Sequence, residues 1–250
     1  MENRVFLQPA YVLHKQPFQN TSLLIDFFCV DYGRVRAVAK GARREKSKYR
    51  ALLQVFHPLL VSLSGRGDVK TVTAVESGVS AIQLKGERLF SGLYINELLT
   101  RVVLAHVEHA PLYKSYQNTL LQLQGQEDIN KVLRKFELAL LADLGYALNL
   151  KQDCISHQPL SAEHYYRFTA DQGFEQLSQV SDEQEIANVF PGEHLLALRN
   201  MSFPDRTSSN SAKRLLRLAL QPHIGDKPLH SRNLFTSRQA PDLADKRATR

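Results

Sequence analysis

Gly33-Arg34-Val35-Arg36-Ala37-Val38-Ala39-Lys40-Gly41 alternates between glycines. Successive side chains of a strand point to opposite faces, so Val35, Ala37 and Ala39 share one side and Arg34, Arg36, Val38 and Lys40 the other. The first side asks for a core. The second sets cations two residues apart at about 7 Å along a sheet. Working back, residues 22–30 are an apolar run of β-formers (Leu23, Leu24, Ile25, Phe27, Phe28, Val30). Asp31-Tyr32-Gly33 is a turn signal, with Gly33 free to take a positive φ. A short strand is expected over residues 10–15. Working forward, Gly41 ends the strand and a charged loop follows over residues 42–50. Residues 58–63 and 69–76 read as two further strands, joined by the hairpin loop Ser64-Gly65-Arg66-Gly67-Asp68. Four or five short antiparallel strands in about 80 residues suit a small barrel or sandwich.

The period then changes. Residues 87–108 place Leu89, Leu93, Asn96, Leu99, Val103 and Ala105 near helical spacing. Ala110-Pro111 opens another helix, with Pro111 in the first turn, ending near Gly125. Residues 127–144 form the clearest helix. Glu127 and Asp128 sit at its positive end, and Ile129, Leu133, Phe136, Leu140 and Leu144 recur along one stripe before Gly145. Residues 146–180 are irregular, with short strands expected at Tyr166-Arg167-Phe168 and Gly173-Phe174-Glu175. Short helices are expected over 181–190 and 192–200, and a last helix over 208–221, ended by Pro222. A β-rich part followed by a helical body gives domains at 1–80 and 81–240, with a polar, frayed tail at 241–250.

The charge is uneven. The chain has 250 residues and a formal net charge of +7. Residues 34–50 hold eight cations (Arg34, Arg36, Lys40, Arg43, Arg44, Lys46, Lys48, Arg50) against Glu45. Residues 213–250 hold nine cations against three anions, while 51–212 hold thirteen against eighteen. Two basic segments around an acidic middle point to a polyanionic partner. Cations on a sheet face beside a basic loop suit nucleic-acid phosphates, and Arg66 in the hairpin loop adds to them. Tyr49, between Lys48 and Arg50, is the better candidate for stacking a base; Phe27, Phe28 and Phe56 read as core. Lys213, Arg214 and Arg217 form a second basic set on one side of the last helix, Arg217 standing at i+4 from Lys213 and i+3 from Arg214. The bland alternative is a solvated basic surface.

Other chemistries find no anchor. Gly65-Arg66-Gly67 lacks the Gly-Lys-Ser/Thr of a phosphate loop, and there is no Gly-x-Ser-x-Gly elbow. Cys154, His157 and His164 fall short of four paired zinc ligands. Two cysteines build no disulfide framework and fit a reducing cytosol. No apolar run reaches the roughly 18 residues of a membrane span, and the first residues do not read as a signal peptide. The expectation is a cytoplasmic binding protein without membrane contact, cofactor or catalytic residue.

Five blocks resemble the RecO family of bacterial recombination mediators. They are Gly33-Arg34-Val35-Arg36-Ala37-Val38-Ala39-Lys40-Gly41-Ala42-Arg43-Arg44; Gly65-Arg66-Gly67-Asp68-Val69-Lys70-Thr71; Gly92-Leu93-Tyr94-Ile95-Asn96-Glu97-Leu98-Leu99; Arg134-Lys135-Phe136-Glu137-Leu138-Ala139-Leu140-Leu141; and Gly225-Asp226-Lys227-Pro228-Leu229-His230-Ser231-Arg232-Asn233-Leu234-Phe235. The resemblance implies a multidomain α+β protein: an N-terminal OB-fold β-barrel, then a mainly α-helical domain with a zinc-finger-like element. Many members carry four zinc-ligating cysteines in the stretch equivalent to about 150–180. Here only Cys154 remains, so an element without zinc is expected.

The resemblance further implies binding of single- and double-stranded DNA, annealing of complementary strands, and partnership with RecR. It implies loading of RecA onto DNA coated by single-stranded DNA-binding protein (SSB), a functional link to RecF, and association with the nucleoid during repair. Arg134 matches a family position implicated in contact with the acidic, Phe-ended SSB tail. A cation beside an apolar groove from Phe136 and Leu140 suits such a tail; ordinary helix core is the competing reading of those two residues. An RNA-binding or ribosome-associated OB-fold protein is the alternative function, and a nuclease would need a carboxylate cluster that is not apparent.

Overall fold

The structure, a computed structural model, describes residues 4–178 and 187–236. They pack into two compact units, one formed up to Glu108 and again from Lys227, the other from His109 to Asp226.

The first unit is built on strands β1 (Arg4–Phe18), β2 (Ser22–Cys29), β3 (Gly33–Ala39), β4 (Leu59–Ser64) and β5 (Val69–Glu76), with a single helical turn, α1 (Tyr49–Leu52), between β3 and β4. They close into a barrel in the order β1-β2-β3-β5-β4, an arrangement of the OB kind. Four of the ladders are antiparallel. β3 and β5 instead pair parallel, Arg36 opposite Val69 and Val38 opposite Thr71. The alternation of β3 becomes burial, with Val35, Ala37 and Ala39 at 2% exposure or less. They meet Val12, Ile25, Phe27, Val61 and Leu63 in the barrel interior. Gly33 takes φ +57° at the turn, as its place there requires.

β1 is fifteen residues long, not the short strand expected over 10–15. Its second half pairs with β2 and its first half with β4, and each ladder is interrupted by an irregularity, at Val12/His14 and Val5/Gln8. Such irregularities bend a strand, which lets one strand serve two neighbours of a closed barrel.

Helix α2 (Gly86–Val102) packs on the barrel. The buried Asn96 amide donates to the carbonyls of Leu13 (3.1 Å) and Val12 (3.4 Å), where the β1–β2 ladder is irregular. A Cβ at Gly92 would lie 2.7 Å from Leu84 Cδ1 and 2.8 Å from the Phe56 ring, so this helix face needs glycine for its close approach. In packing, therefore, α2 goes with the barrel. The expected helix over 87–108 stops at Val102 because the following chain joins the sheet: Arg34 N donates to Leu104 O and His106 N to Tyr32 O.

In the second unit, α3 (Ala110–Gln124) and α4 (Ile129–Asp143) pack together. Asp128 caps α4 by accepting from Asn130 N and Lys131 N. The strands β6 (Tyr165–Thr169) and β7 (Gly173–Leu177) form the expected hairpin. The strand β8 (Val189–Pro191) completes a sheet of order β7-β6-β8. Val189 and Phe190 are thus strand, not the end of a helix over 181–190; residues 181–186 lie outside the described residues. α5 (Gly192–Arg199) matches the helix expected over 192–200. α6 (Arg206–Ile224) is longer than expected and runs through Pro222. Pro222 takes an N–H out of the last turn of α6, and Ile224 beyond it is buried.

From Lys227 the chain belongs again to the first unit. A short helix unannounced by the sequence pattern, α7 (Ser231–Thr236), packs on α2, with Phe235 edge-on to Phe90 at 5.9 Å between ring centroids. The tail expected at 241–250 lies outside the described residues.

Candidate nucleic-acid interface

The cationic side of β3 carries a carboxylate as well. Asp26, an acid within the apolar run of β2, is 4% exposed and lies opposite Arg36 in the β2–β3 register. Arg36 donates to it twice, Nε at 2.8 Å and Nη2 at 3.0 Å. Arg34 Nη1 lies 3.6 Å from the same carboxylate, and its Nε donates to Val103 O. The hydrogen bond to Asp26 holds the Arg36 guanidinium still more firmly protonated, against a smaller opposing effect of burial. The two arginines are held in fixed geometry and share one negative charge.

The more open cations follow them. Lys40, Arg43, Arg44, Lys46 and Lys48 are exposed. Their loop is tied to the β1–β2 turn, where Arg43 N donates to Thr21 O and its guanidinium to the carbonyls of Gln19 and Asn20. Tyr49 is half-buried against the barrel core, and Lys48 Nζ sits 5.8 Å from its ring centroid. It offers a base less surface than an open stacking platform. Arg66 is exposed in the β4–β5 loop. The parallel pairing of Arg36 with Val69 carries that loop toward the Gly33 end of β3, so Arg66 joins Arg34 and Arg36 through a strand contact that spacing alone does not reveal.

The second basic set lies on α6, in the other unit. Lys213 and Arg217 are exposed. Arg214 is engaged within the unit: it donates to Val189 O at 2.7 Å and lies 4.5 Å over the Phe190 ring.

The groove expected between Arg134, Phe136 and Leu140 is closed. Phe136 and Leu140 have no exposed surface, and Arg134, 4% exposed, donates to Glu137 at 2.6 Å. Helical spacing placed these two apolar residues on the core stripe of α4, which is where they are spent. An open groove of about 520 Å³ does lie along α3, with Lys135 contributed by α4. Lys114 and Lys135 flank it, with Leu121, 51% exposed, among its apolar lining.

The family model described as "Recombination protein O N terminal" matches residues 1–79, and "Recombination protein O C terminal" matches 83–233. The chain belongs to the RecO family. It is 44% identical over 229 residues to the DNA repair protein RecO of Yersinia pestis (strain Pestoides F), covering 91% of this chain and 93% of that one. It is 41% identical over 233 residues to the DNA repair protein RecO of Cellvibrio japonicus (strain Ueda107), covering 93% and 98%.

Against the zinc-bearing RecO pattern, the residues present do not fit a structural zinc centre. Among the described residues no three His, Cys, Asp or Glu side chains form a group able to hold a metal. A carboxylate organises the equivalent stretch instead. Asp153 Oδ1 accepts from the N–H groups of Ile155 (2.7 Å) and Ser156 (2.5 Å), and Oδ2 from that of Gln176 on β7. Burial pushes the Asp153 carboxyl up, but these N–H donors outweigh it and hold the group below its ordinary range. Among the described residues, no helix of this RecO-family chain is long and apolar enough to cross a membrane.

Proposed function

We propose that this chain is a DNA repair and recombination mediator. It binds single- and double-stranded DNA through the cationic side of its barrel, anneals complementary strands and, with RecR, helps load RecA onto SSB-coated DNA. One observation carries the reading: a chain matched by both RecO models presents a run of exposed cations on and after β3. Lys40, Arg43, Arg44, Lys46, Lys48 and Arg66 meet phosphates. Arg34 and Arg36, aimed by Asp26, fix where the strand lies on the barrel; Lys213 and Arg217 offer the second unit its own phosphate contact. Annealing needs no covalent step: neutralised phosphates let two strands approach, and base pairing supplies the drive.

The acidic SSB tail belongs on the open α3–α4 groove. Lys114 and Lys135 attract its carboxylates and Leu121 receives its terminal ring; Arg134, Phe136 and Leu140 form the core beneath. The stretch over 146–180 acts as a metal-free counterpart of the zinc-finger-like element, and RecF enters through the same repair pathway, at the nucleoid.

The experiment is annealing of complementary strands coated with SSB. The native chain is expected to accelerate it, and excess SSB tail peptide to suppress the gain on coated strands alone. Equal annealing with and without the chain, on bare and coated strands, would remove the proposal.

A further inference from the structure

A cavity of about 340 Å³ opens in the second unit between the end of α4, the residues after it, the β6–β7 turn and α6. Leu141, Phe168 and Ala219 make its floor apolar. On one wall the Tyr146 and His223 rings lie 4.1 Å apart between centroids, tilted by 41°. Tyr146 nevertheless keeps 47% of its surface open. Asp171 and Gln172, both exposed, stand on the rim with acceptor and donor groups.

We infer that this cavity takes one unpaired base of a nucleic-acid strand. The inference rests on reading the chain as a single-strand binder, and it adds a contact in the unit that lacks the barrel. Three features select a base. A close, tilted aromatic pair with open surface on Tyr146 attracts a further planar π-system. A rim that mixes acceptors and donors matches the edge of a base. A cation for the backbone is offered by the same helix: Arg217 is exposed on α6, six residues before His223, about 9 Å along the axis and about 120° around it. The volume falls in the range of roughly 300–1,000 Å³ found for pockets that enclose small planar ligands.

The test uses the full chain and a single-stranded oligonucleotide bearing 5-iodouracil, irradiated and mapped by mass spectrometry. Crosslinks are expected on the peptides holding Tyr146 or His223. Tyr146→Leu should lower their yield by about fivefold or more, the low end of one base–ring stack, and Tyr146→Phe should keep it. Gln172→Ala, exposed and remote from the core, should lower it without changing the melting temperature. Oligonucleotide bound but crosslinked only within residues 4–108 would overturn the inference and leave the proposed function standing. So would a yield unchanged in both Tyr146→Leu and Gln172→Ala. Loss of the crosslink to excess free mononucleotide would overturn the strand assignment in favour of a soluble nucleotide. No binding of the oligonucleotide at all would overturn the proposed function, and this inference with it.

Discussion

The Glu97 carboxylate accepts both the backbone N–H and the hydroxyl of Ser231, at 2.8 and 2.6 Å, across 134 positions of sequence. His230 N donates to the same group, and Arg101 pairs with it while donating to the carbonyls of Lys227 and Pro228. Two of the five blocks shared with the RecO family, 92–99 and 225–235, therefore meet at one acid. Burial pushes the Glu97 carboxyl up, but the Ser231, His230 and Arg101 donors together outweigh it and hold the group below its ordinary 4.5. A depressed carboxylate contributes its stability above the ordinary value and loses it as pH falls through the folded one. Docking of residues 227–236 is expected to be complete at neutral pH and to weaken as pH falls below the ordinary 4.5 and through the lowered folded value. Glu97→Ala should abolish it at all pH values, read as amide exchange in α7 rising while the barrel strands stay protected.

Asn96 and Gly92 fasten α2 to the barrel by different means. Asn96→Leu keeps the volume but strips the Val12 and Leu13 carbonyls of their amide donor, a loss of about 1–3 kcal/mol. Gly92→Ala forces a methyl against Leu84 and Phe56, costing about 1–3 kcal/mol by overpacking. Urea unfolding of each variant checks both. A midpoint unchanged in both would mean that α2 is not seated as described.

The exposed loop cations make a cleaner test of DNA binding than the arginines of β3. Removing Arg36 would leave the buried Asp26 without its bidentate partner and weaken the barrel as well as any hold on DNA. Lys40, Lys46 and Lys48 lack that complication. Changing all three to Ala should weaken single-strand binding and reduce the salt slope by about 0.7 for each phosphate no longer neutralised. Fluorescence anisotropy at several salt concentrations reads both, and an unchanged slope would exclude these residues.

Asp153 is expected to do what a metal would otherwise do for the 153–177 stretch. Asp153→Ala leaves three N–H groups without their acceptor, at about 1–3 kcal/mol for each that stays buried. Its depressed carboxyl makes the support present above the ordinary 3.8 and lost as pH falls below it. A strong chelator should leave the melting curve of the native chain unmoved. A chelator-induced drop would point to a metal that the residues present do not accommodate.

For the SSB tail, Lys114→Ala combined with Lys135→Ala should weaken binding of a tail peptide while sparing direct DNA binding. Titration calorimetry with the peptide distinguishes the outcomes. Undiminished affinity would move the tail off the α3–α4 groove.

Much of this was legible from pattern. The inward residues of β3 are those that alternation names, because period two is a property of the strand itself. The stripe of α4 is buried, the Ala110 start holds with Pro111 in its first turn, and the helix expected from Glu127 begins at Ile129, capped by Asp128, because such signals act within one turn. What pattern misread was long-range. α2 ends at Val102 only because the next residues find a sheet partner. α6 passes Pro222 and ends at the buried Ile224. Phe136 and Leu140 were open to two readings until packing enclosed them.

The cations of residues 34–50 and the apolar side of β3 follow from residue identity and local geometry, whatever the rest of the chain does. That Asp26 shares its charge with Arg34 and Arg36, that Arg66 is carried toward them, and that Glu97 holds Ser231 depend on strand closure and on segments brought together across tens to hundreds of residues. Charge and periodicity are encoded in each short stretch. Which opposite charge stands within hydrogen-bond reach is set by register and packing, and no local pattern carries that.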